Sequence, residues 1–170
     1  LIIVMLPLLA AVAVGFVPSS QRQAIRGITI GASGLSLLCA LIAFLSFEID
    51  GELKFETKVL WVESLGLHFH LAADGINIGI ILMGAIVAFA AACCADDITH
   101  RVKEFHILLN VMIGGILGAF ASMDLFFFYF FHELALVPTF IMIGVWGRGR
   151  TAITPPTKSR STSASARCWR

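Results

Sequence analysis

Charge is scarce in this chain of 170 residues. Only 14% of them are charged, and 12 lysines and arginines against 11 aspartates and glutamates leave a formal net charge of +1. So near-neutral a balance gives a nucleic-acid partner no support. The four cysteines show no metal or redox spacing: Cys39 lies in an apolar segment, Cys93 and Cys94 end another, and Cys168 falls in a polar tail. Those in apolar segments read as small packing residues. No glycine-rich phosphate loop is present, because the glycine repeats fall inside apolar runs where no strand-to-helix turn can cradle a phosphate. His132-Glu133 has the start of a zinc-protease helix but lacks its second histidine, since position 136 is Leu136. Nucleic acid, nucleotide phosphate and structural metal therefore all lack a signature.

What is abundant is hydrocarbon. Hydrophobic residues make up 58% of the chain and the mean hydropathy is +0.91, above the roughly 45–50% apolar content of soluble domains. This composition predicts an all-α integral membrane protein. Five apolar segments, at 1–17, 28–47, 76–95, 106–122 and 125–146, predict about five transmembrane helices. The chain opens inside the first of them without an initiator methionine, which implies residues before Leu1. A cleaved signal is disfavoured, because no basic residue precedes the apolar run while Arg22 and Arg26 follow it.

Arg22 and Arg26 lie between segments one and two, Arg101 and Lys103 between three and four, and Arg148 and Arg150 after segment five. Five spans put all of these on one face and leave only Lys54 and Lys58 on the other. The basic face is then cytoplasmic and the N-terminus outside. The outer loop at 48–74 is predicted to carry a small β-hairpin, with Phe55, Thr57, Val59 and Trp61 alternating against Glu56, Lys58 and Leu60, and a second run at 67–71. His68 and His70 share one side of that second strand and read as a solvated face rather than a metal site. Gly114 with Gly118, and Gly84 with Ala88 and Ala92, have the small-residue spacing that lets membrane helices approach closely.

Glu133 is the residue that points to function. It lies inside the apolar run 125–146, about 12 Å from its start at 1.5 Å per residue. A carboxyl group at that depth costs on the order of 3 kcal/mol on insertion scales. It must be neutral, paired, or facing a wet interior, and a role in moving or binding an ion is favoured over a packing hydrogen bond. Pro138 lacks an N–H and crowds the carbonyl of Leu134, so a kink is predicted one turn beyond the glutamate. His132 is turned by about 100° from Glu133 around the helix and does not share its face. His106 opens segment four, where an exposed interfacial histidine is expected. His132 and His106 are secondary candidates.

Two runs carry a family resemblance. The sequence FFFYFFHELALVPTFIMIGVWG, ending at Gly147, resembles the fifth membrane helix of the antiporter-like chain M (subunit 4) family of the proton-translocating NADH:quinone oxidoreductase, respiratory complex I. LGLHFHLAADGINIGIILM, ending at Met83, is similar to the end of that family's outer hairpin and the start of its third helix. The match covers about 1–150. It implies that Glu133 corresponds to a proton-path glutamate that pairs with a lysine on the seventh helix, within a bundle of about fourteen helices built from two inverted repeats around broken helices. His132 stands where the family more often has an aromatic or apolar residue.

The resemblance also implies a subunit with no flavin, iron–sulfur or quinone site of its own, hence no cofactor and no bound metal. Its partners would be other membrane-arm subunits of complex I, the lipid bilayer and protons, in a bacterial inner (plasma) membrane or a mitochondrial inner membrane. After Gly147 the sequence turns to RGRTAITPPTKSRSTSASARCWR, where relatives continue with another apolar helix. Segment 148–170 is expected to be a disordered polar and basic tail, with a shifted reading frame favoured over a genuine cytoplasmic extension. The expectation is an N-terminal fragment that would not pump alone. The alternatives are a subunit of a stand-alone cation/proton antiporter and a structural or assembly membrane protein.

Overall fold

The computed structural model describes residues 2–47, 54–62, 67–95, 98 and 100–147, with 54–62, 67–70 and 73 described by backbone alone. The tail at 148–170 and the hairpin's tip and flank at 63–66 and 48–53 lie outside the described residues, as do the side chains of His68 and His70. The chain forms α1 (Ile2–Phe16), α2 (Arg22–Leu45), β1 (Lys54–Val62), β2 (Leu67–Ala73), α3 (Asn77–Cys94), α4 (Val102–Ala121) and α5 (Leu125–Trp146). Among these, α2 to α5 are long and apolar enough to cross a membrane. α1, at 15 residues, spans only about 22 Å against a hydrocarbon core of about 30 Å. α2 and α4 begin at Arg22 and Val102, ahead of the apolar runs that start at 28 and 106. Hydropathy marks where lipid begins, whereas the helices continue into the polar interface.

Contacts at the two ends fix the up-down order. At the basic end, Lys103 Nζ donates to the carbonyl of Gly15 at 2.8 Å, and Trp146 Nε1 donates to the carbonyl of His100 at 2.8 Å. These bonds bring together the end of α1, the start of α4 and the end of α5. At the opposite end β1 and β2 pair antiparallel, Thr57 opposite Leu71 and Val59 opposite Phe69. Leu71 also bridges to Ser122 just past α4, which seats the hairpin over that end of the bundle.

α4 is the central helix, packed against α1, α2, α3 and α5. Its glycines make this possible. A Cβ at Gly114 would lie 2.6 Å from Leu8 of α1, and one at Gly118 2.5 Å from the Phe131 ring of α5. The Gly114 and Gly118 pair therefore serves two neighbours rather than one. The tightest backbone approach is at Gly115, where a Cβ would meet Ala135 N at 2.8 Å and Phe131 O at 2.9 Å. On α3, Gly84 admits the Phe120 ring, while Ala88 and Ala92 are buried.

Proline in α1 is compensated across a helix boundary. Pro7 offers no N–H to the carbonyl of Ile3, one turn earlier, and leaves that oxygen without its intrahelical donor. Ser36 of α2 donates to it at 2.9 Å. In lipid, such a bond restores what the proline removes and staples α1 to α2.

Candidate functional site

α5 buries Phe127, Phe131 and Pro138. These positions recur at four- and seven-residue steps, so at about 100° per residue they form one stripe. The stripe faces α4, with Phe131 against Gly118 and its own carbonyl beside Gly115. Asp124 starts the helix by accepting from Phe126 N–H at 2.9 Å, a side-chain cap that holds the register of everything after it.

Glu133 follows Phe131 by two residues and so projects roughly 200° away from it. It is exposed on the outward side of α5. Phe126, Tyr129, Phe130, Val137 and Phe140 share that side and are also exposed, Phe140 to 77%. Among the described residues none forms a hydrogen bond or an ion pair with the Glu133 carboxylate. The structure thus presents one carboxylate at the centre of a largely aromatic and aliphatic face, turned away from the helices present.

Pro138 lies on the opposite, buried side of the same helix. α5 continues through it to Trp146, and the Thr139 hydroxyl donates to the carbonyl of Ala135 at 2.8 Å. His132 is exposed and stacks on Phe128, ring centroids 6.2 Å apart and 23° between planes. It is not brought to another titratable group among the described residues.

His106 corrects the expectation of an exposed interfacial residue. It is 1% exposed, because α4 begins at Val102 and carries position 106 into the packed region. Its ring meets Phe105 edge-on at 5.7 Å, and Phe105 in turn meets Trp146 at 5.5 Å.

A second polar group was missed in the sequence. Thr29, Ser33, Ser36, His106 and Asn110 are all buried, between α1, α2 and α4. Thr29 Oγ1 donates to Ile25 O at 3.2 Å, and Ser33 Oγ to Thr29 O at 2.9 Å. Asn110 Nδ2 donates to Thr29 Oγ1 at 3.0 Å and to His106 O at 2.9 Å. The signal was there: hydroxyls at steps of four and three on α2, and an asparagine one turn past a histidine on α4. Hydropathy averages conceal it, since a few serines and threonines lower the mean of an apolar run only slightly, and Thr29 and Ser33 spend their hydroxyl hydrogens on their own helix. Among the described residues no group of three or more His, Cys, Asp and Glu side chains could hold a metal ion.

No family model matches the chain. It is 34% identical over 160 residues to NAD(P)H-quinone oxidoreductase chain 4, chloroplastic, from Chara vulgaris, covering 92% of this chain and 32% of that one. Against NAD(P)H-quinone oxidoreductase chain 4 1 from Synechococcus sp. (strain JA-3-3Ab) the identity is 31% over 145 residues, 85% of this chain and 28% of the other. Its fold matches a chain of respiratory complex I from Thermus thermophilus with bound NADH, with a TM-score of 0.72 and 28% identity over 89% of this chain and 30% of that one. A chain of the archaeal membrane-bound sulfane sulfur reductase shares the fold at a TM-score of 0.71 and 20% identity, over 84% and 22% of the two chains. The chain spans about a third of the length of the curated relatives it matches. With sequence similarity along nearly all of its own length and the same helical arrangement, this multi-pass integral membrane protein belongs to the NAD(P)H-quinone oxidoreductase chain 4 family.

Proposed function

We propose that this chain contributes to proton translocation in the membrane arm of a quinone-reducing oxidoreductase, with Glu133 as the group that takes up and releases the proton. The observation that carries the reading is the placement of Glu133 on the outward face of α5, opposite the stripe that packs on α4. A glutamate serving the packing of these five helices would point into α4 and bond to it, and this one does neither.

An ionisable side chain facing hydrocarbon at that depth is costly, so its face is one that further protein covers in the assembled protein. The family resemblance supplies a lysine on a later helix as the covering charge. Approach of that cation would hold Glu133 ionised, and its withdrawal would let the carboxyl take a proton, so that a moving charge converts into a proton step. The chain's own residues contribute position: Asp124 sets the helix register, and Gly115 and Gly118 hold α5 against α4 so that Glu133 faces the far side.

The test is Glu133→Gln in the complete protein assembled with its partner subunits. Size and hydrogen-bonding capacity are retained while the titratable proton is lost. Assembly should persist, and NADH-driven acidification in inverted vesicles should fall at least tenfold along with quinone-coupled turnover. Wild-type pumping by an assembled Gln variant would show Glu133 to be structural.

A further inference from the structure

We infer that the buried polar seam between α1, α2 and α4 is an internal water site, with the side-chain oxygen of Asn110 as its principal acceptor. Asn110 is fully buried. Both of its amide hydrogens are used, one toward Thr29 Oγ1 and one toward the carbonyl of His106, whereas Oδ1 has no donor. Rotating the amide does not resolve this. The exchange would place Oδ1 against the carbonyl of His106, oxygen to oxygen at hydrogen-bond distance, and the Thr29 hydroxyl hydrogen is already committed to Ile25 O. The orientation is therefore fixed by its neighbours, and Oδ1 needs a donor from outside the pairs just named.

The surroundings fit a water molecule rather than an ion or an apolar ligand. A buried amide oxygen left bare has given up its hydrogen bonds to water with nothing in return, and a buried water is held by two to four polar partners. Thr29 Oγ1 accepts one hydrogen bond and Ser33 Oγ donates its only hydrogen into its own helix, so both oxygens retain acceptor capacity. The imidazole of His106 lies one turn from Asn110 on the same side of α4. No carboxylate among the described residues lines the seam, which removes the usual reason for a cation to enter.

The site is deep. Asn110 is about 12 Å from the start of α4, and Thr29 about 10 Å from the start of α2. Both helices start at the basic end of the bundle. A water there places hydrogen-bonding solvent beside a buried histidine, on the side of α4 that meets Thr29 of α2. This gives the protein a buried hydrogen-bonding site separate from Glu133.

The decisive experiment is a density map, at a resolution that shows ordered waters, of the complete chain in its assembled complex. The expected result is one water within about 3.2 Å of Asn110 Oδ1, and its loss in an Asn110→Leu map whose helices superpose on the parent. A protein donor seated on Oδ1, or a dry pocket around it in the parent map, overturns the inference. The parent map decides the matter even if the Leu variant fails to assemble. As an independent readout, the infrared water O–H stretch that shifts in H2(18)O should be weaker in Asn110→Leu and unchanged in Glu133→Gln. An identical spectrum for the parent and Asn110→Leu counts against the site.

Discussion

Adding one methyl group to α4 should separate it from α5. In Gly115→Ala the new Cβ would lie 2.8 Å from Ala135 N, 2.9 Å from Phe131 O and 3.1 Å from Ala135 Cα. All three are backbone atoms of α5, so no side-chain rotation relieves the overlap. Carbon contacts are comfortable at about 3.5 Å, so the helix pair must open by roughly half an ångström, and a gap of that size forfeits about a quarter of each contact's attraction. With overpacking in a close-packed region costing typically 1–3 kcal/mol, we expect a loss of about 2 kcal/mol. Gly31→Ala is the control, since nothing lies within 4 Å of a Cβ there, and it should be neutral or gain up to about 1 kcal/mol from helix propensity. Gly84→Ala should fall between, because the atom it meets first, at 3.1 Å, is the edge of the Phe120 side chain. Equilibrium unfolding in mixed detergent micelles, followed by far-ultraviolet circular dichroism, ranks the three. Equal stability of Gly115→Ala and Gly31→Ala would refute the close approach on which the placement of α5 rests.

Asp124→Ala removes the acceptor for Phe126 N–H and should cost about 1 kcal/mol in the same assay; Asp124→Asn should recover most of it. Ser36→Ala leaves the carbonyl of Ile3 bare opposite Pro7 and should cost about 1–2 kcal/mol, whereas Ser36→Thr should be tolerated if its hydroxyl reaches the same oxygen. Single cysteines introduced at Ser20 and at Glu56 in a cysteine-free background should label from opposite sides of sealed vesicles, Glu56 from outside. Labelling of both from one side would contradict the up-down order.

Legibility from sequence depended on contrast. Glu133 stood out because a charge inside an apolar run is conspicuous, and the helix around it was equally plain. Which way it faces was not, because α5 is apolar all round and carries no amphipathic stripe to orient it; only the fit of Phe131 against Gly118 settles that. His106 was misplaced because an apolar window begins where lipid begins, while α4 starts a turn earlier in polar sequence. Gly115 escaped the small-residue spacing because that pattern describes one partner, and α4 has four. The seam around Asn110 was hidden by composition. Scattered hydroxyls scarcely lower the hydropathy of an apolar run, and those of Thr29 and Ser33 can be buried because they bond to their own helix, so their burial shows only in three dimensions.

The hold of α4 on α5 has a mechanical side. α5 rests mainly on a single neighbour, with its backbone directly against Gly115 and the Phe131 ring seated on Gly118. A joint of that kind is stiff in compression at Gly115, and the ring in the hollow at Gly118 keys it against rotation and sliding. At Gly115 no side chain stands between the two helices to absorb a displacement, so small movements of α4 carry over to the far face of α5. The carboxylate sits on that face like the tip of a lever whose fulcrum is two glycines.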